Sequence, residues 1–68
     1  MPQTENLVGK NQTARVYPRQ AGLYPTLNRD LWYRVRPGGP DEKGWCWLAG
    51  YGVRLRVQIN DFEFRKAG

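Results

Sequence analysis

The sequence predicts an all-β fold, a single small antiparallel barrel of about five short strands with little or no helix. Several runs alternate apolar and polar residues with the two-residue period of a half-buried strand, and turns rich in glycine and proline separate them. No stretch of about ten residues keeps the helical period of about 3.6 residues. The 68 residues suit one small domain, and the 40% hydrophobic content suits a compact core.

The first part of the chain is predicted to contain a tail, one strand and a long loop. Residues 1–12 are polar and irregular, so we expect a flexible N-terminal tail or short edge strand there and a barrel domain over residues 13–68. Residues 13–17 alternate and favour a strand, which Pro18 ends. Residues 18–30 contain several turn-forming residues without a sustained period, which predicts a loop with one helical turn near residues 26–29.

Four further strands are predicted in the second part of the chain. They are expected at residues 31–36, 45–49, 53–59 and 62–65. The segment PGGPDEK, residues 37–43, is predicted to be a surface loop. Gly50 and Tyr51 have the order of the two turn residues of a type II′ hairpin, and Asn60 with Asp61 suits a tight turn into the last strand.

The hairpin turn determines which side chains share a face of the sheet. The predicted cross-strand pairs are Trp47 with Arg54 and Trp45 with Arg56. One face is apolar and holds Cys46, Leu48, Val53, Leu55 and Val57, while the other holds Trp45, Trp47, Arg54, Arg56 and Gln58. The strand before divides in the same way, with Leu31, Tyr33 and Val35 against Trp32, Arg34 and Arg36. In the last strand, Phe62 is expected opposite Ile59 and Phe64 opposite Val57.

The apolar face is predicted to be the core, so the tryptophans and arginines are expected to point outward. Two alternatives remain open at this point. Tryptophan and arginine on an outer face can simply stack on one another and stabilise the sheet. A one-residue bulge would instead turn the tryptophans inward. At least one tryptophan is expected to pack beneath the tail or the long loop.

Charge and cysteine content indicate the class of partner and the compartment. Eleven Lys and Arg against six Asp and Glu give a net charge of +5, which favours polyanions such as nucleic acid, although small domains also carry surplus charge for solubility. The N-terminus has no secretory signal, and no apolar run is long enough for a membrane span, so we expect a cytoplasmic protein with no membrane partner. One cysteine without histidine is also typical of a reducing compartment and argues against a zinc site.

Catalytic residues are not apparent, and we expect a protein that is not an enzyme and uses neither cofactor nor metal. Histidine, the commonest general acid–base residue, does not occur in the sequence. Asp41 and Glu42 are expected to be solvated loop residues. Gly38-Gly39 lacks the lysine and helix of a phosphate-binding loop. Cys46 lies on the apolar face and is expected to be an inert buried thiol.

The run from residue 31 to residue 48 carries a Trp-Tyr-x-Val strand at Trp32, Tyr33 and Val35, then Gly-Trp at Gly44 and Trp45. In this run the chain resembles the central part of bacterial Src-homology-3-like domains. The segment between residue 17 and Trp32 is shorter than in that family, and the loop at residues 37–43 is longer. The resemblance implies a small barrel, of the Src-homology-3-like or OB-like type. The family's binding of peptides, including cell-wall peptides, transfers poorly to a chain without an export signal.

The leading functional hypothesis is a nucleic-acid-binding module, because arginines neutralise phosphates and indoles stack on bases. The predicted binding residues are Trp32, Arg34, Arg36, Trp45, Trp47, Arg54 and Arg56. Peripheral steering charges are predicted at Lys10, Arg15, Arg19, Arg29 and Lys43. The nucleic acid could be a single strand or a duplex. The alternative is a protein-interaction module that docks on an acidic protein surface as an adaptor, inhibitor or accessory subunit. A homodimer through the tryptophan face is a third possibility.

Overall fold

A computed structural model describes residues 11–38 and 40–66, which form one five-stranded antiparallel sheet. Its strands are β1 (Gln12–Val16), β2 (Tyr33–Val35), β3 (Trp45–Gly50), β4 (Val53–Gln58) and β5 (Phe62–Lys66). Their order is β4-β3-β2-β1-β5. The predicted antiparallel all-β class is therefore confirmed. Within the described ranges the sheet is open, with β4 and β5 as its two ends, so the structure does not show a closed barrel.

The N-terminal predictions are tested only in part. Residues 1–10, which include Lys10 and most of the predicted tail, lie outside the described residues. Strand β1 begins at Gln12, one residue earlier than expected, and ends before Pro18 as predicted. The helical turn expected near residues 26–29 is instead a 3-10 helix at Pro18–Leu23, because proline suits the first turn of a helix, where its missing N–H is not needed.

The last strand pairs with β1, and its predicted place beside β4 is wrong. Val16 lies opposite Phe62, and Ala14 lies opposite Phe64. The cause is the connection, since Ile59–Asp61 form one turn of 3-10 helix instead of a tight hairpin turn. The backbone N–H of Tyr17 donates to the carbonyl oxygen of Asp61 at 3.0 Å, which joins this turn to the end of β1.

The hairpin of β3 and β4 turns one residue later than predicted. Gly50 lies opposite Val53, so Tyr51 and Gly52 are the turn residues, and their φ angles of 51° and 80° are the positive values of a type I′ turn. The register therefore moves by two, which puts Arg56 opposite Trp47 and Gln58 opposite Trp45. Because side chains alternate with a period of two, each residue of the hairpin keeps its predicted face.

The core lies on the face that the alternation predicted. Leu48 and Val57 are fully buried, and Cys46 is almost so. The complete buried set is Ala14, Val16, Leu27, Tyr33, Val35, Cys46, Leu48, Val57 and Phe62. Leu27 comes from the long loop, whose fold over the sheet is supported by a bond from the backbone N–H of Asn28 to the hydroxyl oxygen of Tyr33 at 2.8 Å.

Asp61 connects the long loop to the turn between β4 and β5. Its carboxylate accepts a hydrogen bond from the Tyr24 hydroxyl at 2.6 Å and another from the Gln20 amide at 3.0 Å. The Tyr24 ring meets that of Phe62 edge-on, with the ring centres 5.0 Å apart. Burial, followed by the hydrogen bond to Asp61, raises the pKa of Tyr24 above its ordinary value. These contacts hold the two 3-10 segments together at one end of the sheet.

The helical segments of the described ranges are short. None of them has the length and apolar character needed to cross a membrane.

Candidate functional site

The outer face of the sheet carries the predicted tryptophans and arginines, and it divides into two groups. Trp32, just before β2, lies close to two guanidinium groups, with the Arg15 Cζ atom 4.6 Å and the Arg65 Cζ atom 3.9 Å from its ring centre. Arg15 also pairs with Glu63 at 3.3 Å. Two of the protein's own guanidinium groups therefore contact the Trp32 indole. This arrangement is the structural alternative considered for the outer face, and it leaves Trp32 little room to stack on a ligand.

Arg65 is a member of this group that sequence reasoning missed. The alternation Phe-Glu-Phe-Arg in β5 does indicate that its side chain points outward. The contact of Arg65 with Trp32 could not be identified in that way, because the contact depends on the pairing of β5 with β1.

Trp45 and Trp47 form the second group, together with Arg54 and Arg56. The Arg54 guanidinium lies 5.5 Å from the Trp47 ring centre, and the Arg56 guanidinium lies 5.3 Å from that of Trp45. These are the pairs predicted as direct cross-strand neighbours. In the observed register they are diagonal neighbours, a separation that long and aromatic side chains can bridge. Trp47 is the more exposed indole, with 39% of its surface accessible.

Asp41 positions the loop beside this second group. One carboxylate oxygen accepts the backbone N–H of Lys43 at 2.9 Å and that of Trp45 at 3.0 Å. The other oxygen pairs with the Arg56 guanidinium at 2.8 Å. The bond from the Trp45 backbone lowers the pKa of Asp41 most, and the bond from Arg56 lowers it further. Asp41 is exposed as expected, but it holds the loop and is more than a solvated charge.

A cavity of about 540 Å³ lies at the second group and the Asp41 loop, and we call it the tryptophan pocket. It is lined by Arg36, Pro37, Gly38, Asp41, Trp45, Cys46, Trp47 and Arg56. Its charged groups are of both signs. The Cys46 side chain points to the opposite, apolar face of the sheet and is buried there. Burial, with a smaller effect of Asp41, raises the pKa of its thiol to about 11, so the thiol is protonated at neutral pH.

A second cavity, of about 350 Å³, lies on the other side of Trp47, and we call it the arginine groove. It is lined by Arg34, Val35, Arg36, Pro37, Trp47, Leu48, Ala49 and Arg54. No acidic residue is among these. Arg34 and Arg36 are exposed and form no ion pair with any residue of the described ranges. Trp47 and Arg36 line both cavities, so the indole stands between a mixed pocket and a purely cationic groove.

The predicted peripheral charges of the described ranges do not line either cavity. Arg19 is exposed on the 3-10 helix Pro18–Leu23, Arg29 is exposed in the long loop, and Lys43 is exposed beside Asp41. Arg15 is engaged with Trp32 and Glu63, and Lys10 lies outside the described residues. The structure therefore places six of the predicted binding residues around two cavities that share lining residues: Arg34, Arg36, Arg54, Arg56, Trp45 and Trp47. Trp32 belongs to a separate group with Arg15 and Arg65.

The residues that line the two cavities offer charged groups, aromatic rings and hydrogen-bonding groups. In the described part of the chain no three His, Cys, Asp or Glu side chains are grouped so as to hold a metal ion. Comparison of the chain with protein-family models, with curated proteins and with solved structures finds no match in any of the three.

Proposed function

We propose that this protein is a non-enzymatic module that binds single-stranded nucleic acid. The observation that carries the proposal is the arginine groove, in which Arg34, Arg36 and Arg54 line a cavity with no acidic residue beside an exposed indole. Three guanidinium groups without counter-charges suit a run of phosphates, because arginine binds phosphate oxygens through a planar set of donors.

The indole of Trp47 favours a single strand over a duplex. An exposed aromatic face stacks on a base only when that base is free of its neighbours, as in single strands and loops. Trp47 stands at the wall of the groove, so a base on the indole would have its phosphate near the arginines. We infer that the module contacts the backbone of the strand in the groove and at least one base at Trp47.

We also propose that the sheet is a small barrel of the Src-homology-3-like type in a cytoplasmic protein. The two end strands, β4 and β5, are joined by the single turn Ile59–Asp61, which keeps their adjacent ends close. Such a connection favours a strongly curved sheet.

The cytoplasmic assignment is supported by Cys46, the only cysteine of the sequence, which is a free buried thiol.

Titration with oligonucleotides tests the proposed function. A single strand and the matching duplex are added at several salt concentrations while tryptophan emission is followed. We expect micromolar binding of the single strand with quenching of the emission. If the three groove arginines each neutralise one phosphate, the logarithm of the affinity falls against the logarithm of salt concentration with a slope of about −2.

Charge-reversal variants locate the binding surface. The double variant Arg34→Glu with Arg54→Glu should reduce the slope to about −0.7, since one groove arginine remains. Arg19→Glu with Arg29→Glu changes the net charge equally at exposed arginines outside the groove, so its slope should stay close to the unmodified value. Thermal melting checks that both variants fold.

Absence of binding to every oligonucleotide at low salt would overturn the proposal and favour an acidic protein partner. An equal loss in both variants would show that binding is not located in the groove.

A further inference from the structure

The spacing of Trp45 and Trp47 makes the tryptophan pocket suitable for a planar ring. The two residues alternate on β3 and point to the same face. Side chains two residues apart on a strand are separated by about 7 Å. The two indoles therefore line the pocket in succession along one strand, and a flat ring can pack against the more exposed of them, Trp47. The pocket volume of about 540 Å³ lies in the range of small-molecule sites.

The rim of the pocket carries one hydrogen-bond acceptor that the protein leaves partly unused. An ionised carboxylate has about four acceptor positions. Asp41 uses three of them, for the backbone N–H groups of Lys43 and Trp45 and for the Arg56 guanidinium. Its side chain is 43% exposed, so the remaining position can be reached by a ligand. The lowered pKa keeps this carboxylate ionised at neutral pH.

We propose that the tryptophan pocket holds one unpaired base and that Asp41 selects a base with an exocyclic amino group, so that cytosine is bound more tightly than uracil. This inference rests on the proposed function. The amino group of cytosine projects from the ring edge and can donate to the free position of the carboxylate. Uracil has one N–H donor on the same edge, flanked by two carbonyl oxygens, which the carboxylate repels. Arg56 and Asp41 largely cancel in charge, which leaves Arg36, shared with the arginine groove, as the one unpaired charge of the pocket. The pocket is therefore less cationic than the groove, which suits the pocket to a base and the groove to phosphate.

Two oligonucleotides of equal length, one of deoxycytidine and one of deoxyuridine, test the selection. The two strands have the same number of phosphates, so the arginine groove should contribute equally to both affinities. We expect the unmodified protein to bind the deoxycytidine strand roughly three to ten times more tightly, the ratio that one hydrogen bond of ordinary net strength produces.

The variant Asp41→Asn tests whether Asp41 makes the selection. Asparagine keeps one side-chain oxygen for the backbone N–H groups of Lys43 and Trp45, so the loop should hold its conformation, which a thermal melt checks. The second oxygen becomes an amide donor, which loses the ion pair with Arg56 and can bond a carbonyl oxygen of uracil, so the ratio of the two affinities should fall to about one or reverse. Glu42→Gln is the matched control. This variant makes the same change of charge at an exposed neighbour that does not line the pocket. Its ratio of deoxycytidine affinity to deoxyuridine affinity should equal that of the unmodified protein.

The outcomes separate this inference from the function on which it depends. Equal binding of both strands by the unmodified protein would overturn base selection and leave the single-strand function intact. Binding of neither strand at low salt would overturn the function itself. A preference for deoxycytidine that persists in Asp41→Asn, or that Glu42→Gln abolishes equally, would overturn the role of Asp41.

Discussion

The Asp61 carboxylate should contribute a large part of the stability of this domain, and replacing it with alanine tests this. The substitution removes the acceptor of two hydrogen bonds, from the Tyr24 hydroxyl at 2.6 Å and from the Gln20 amide at 3.0 Å. A hydrogen bond to a charged group contributes about 1.5 to 3 kcal/mol. All three side chains are only partly buried, so the lower figure applies to each bond, and the expected loss is about 3 kcal/mol.

This loss of stability is large compared with the free energy of unfolding of the whole domain. A chain of this length is expected to have a free energy of unfolding of about 3 to 10 kcal/mol. In a domain of this size each kcal/mol changes the melting temperature by about 4 to 8 °C, so Asp61→Ala should melt about 15 °C lower than the unmodified protein.

Denaturant titration followed by tryptophan fluorescence measures the difference, and Glu63→Ala is the matched control. Glu63 is a carboxylate as well, and it forms an ion pair with Arg15. In that pair the side chain of Arg15 is 38% exposed and that of Glu63 is 47% exposed. Its removal should therefore cost about 0.5 kcal/mol or less. If Asp61→Ala costs no more than Glu63→Ala, the contacts around Asp61 do not hold the long loop to the sheet, and the account given above is wrong.

Two further substitutions test the core and the turns. The pKa of Cys46 is raised from 9.0 to about 11, so the stability that the protonated thiol contributes is complete below pH 9 and is lost as the pH rises through about 11. The loss is about 3 kcal/mol, and it should disappear in Cys46→Ala when the free energy of unfolding is followed from pH 8 upward. Gly44→Ala should destabilise the protein by about 1 kcal/mol more than Gly52→Ala, as urea titration of both variants would show. Both glycines have positive φ, but only at Gly44 does an added Cβ come within 2.8 Å of Gln58 and disturb its bond to Lys43, and equal losses would contradict this reason.

The faces of the sheet could be predicted from the sequence because they depend only on local alternation. A register error of two residues leaves every side chain on its face, so the misplaced turn at Gly50 did not alter the prediction that Trp47 and Arg54 point outward. The buried positions of Cys46 and Leu48 follow from the same alternation.

Long-range pairing could not be predicted in the same way. The position of β5 depends on the 3-10 turn at Ile59–Asp61, whose contacts come from the distant Tyr24 and Gln20. The division of the outer face has the same origin, since Arg65 covers Trp32 only because β5 lies beside β1. The role of Asp41 was missed because its bond to Arg56 joins a loop to a strand fifteen residues away.

Strand β4 lies at the end of the sheet, so the arginines that it carries also affect the solubility of the protein. One row of backbone N–H and C=O groups on β4 has no neighbouring strand in the described part of the sheet, and such rows can recruit strands from other molecules. Arg54 and Arg56 project from this strand, and their like charges oppose edge-to-edge joining of two copies. Neutral β-branched replacements would therefore weaken the proposed nucleic-acid binding and promote aggregation together, whereas charge reversal would change the proposed binding and keep the edge protected.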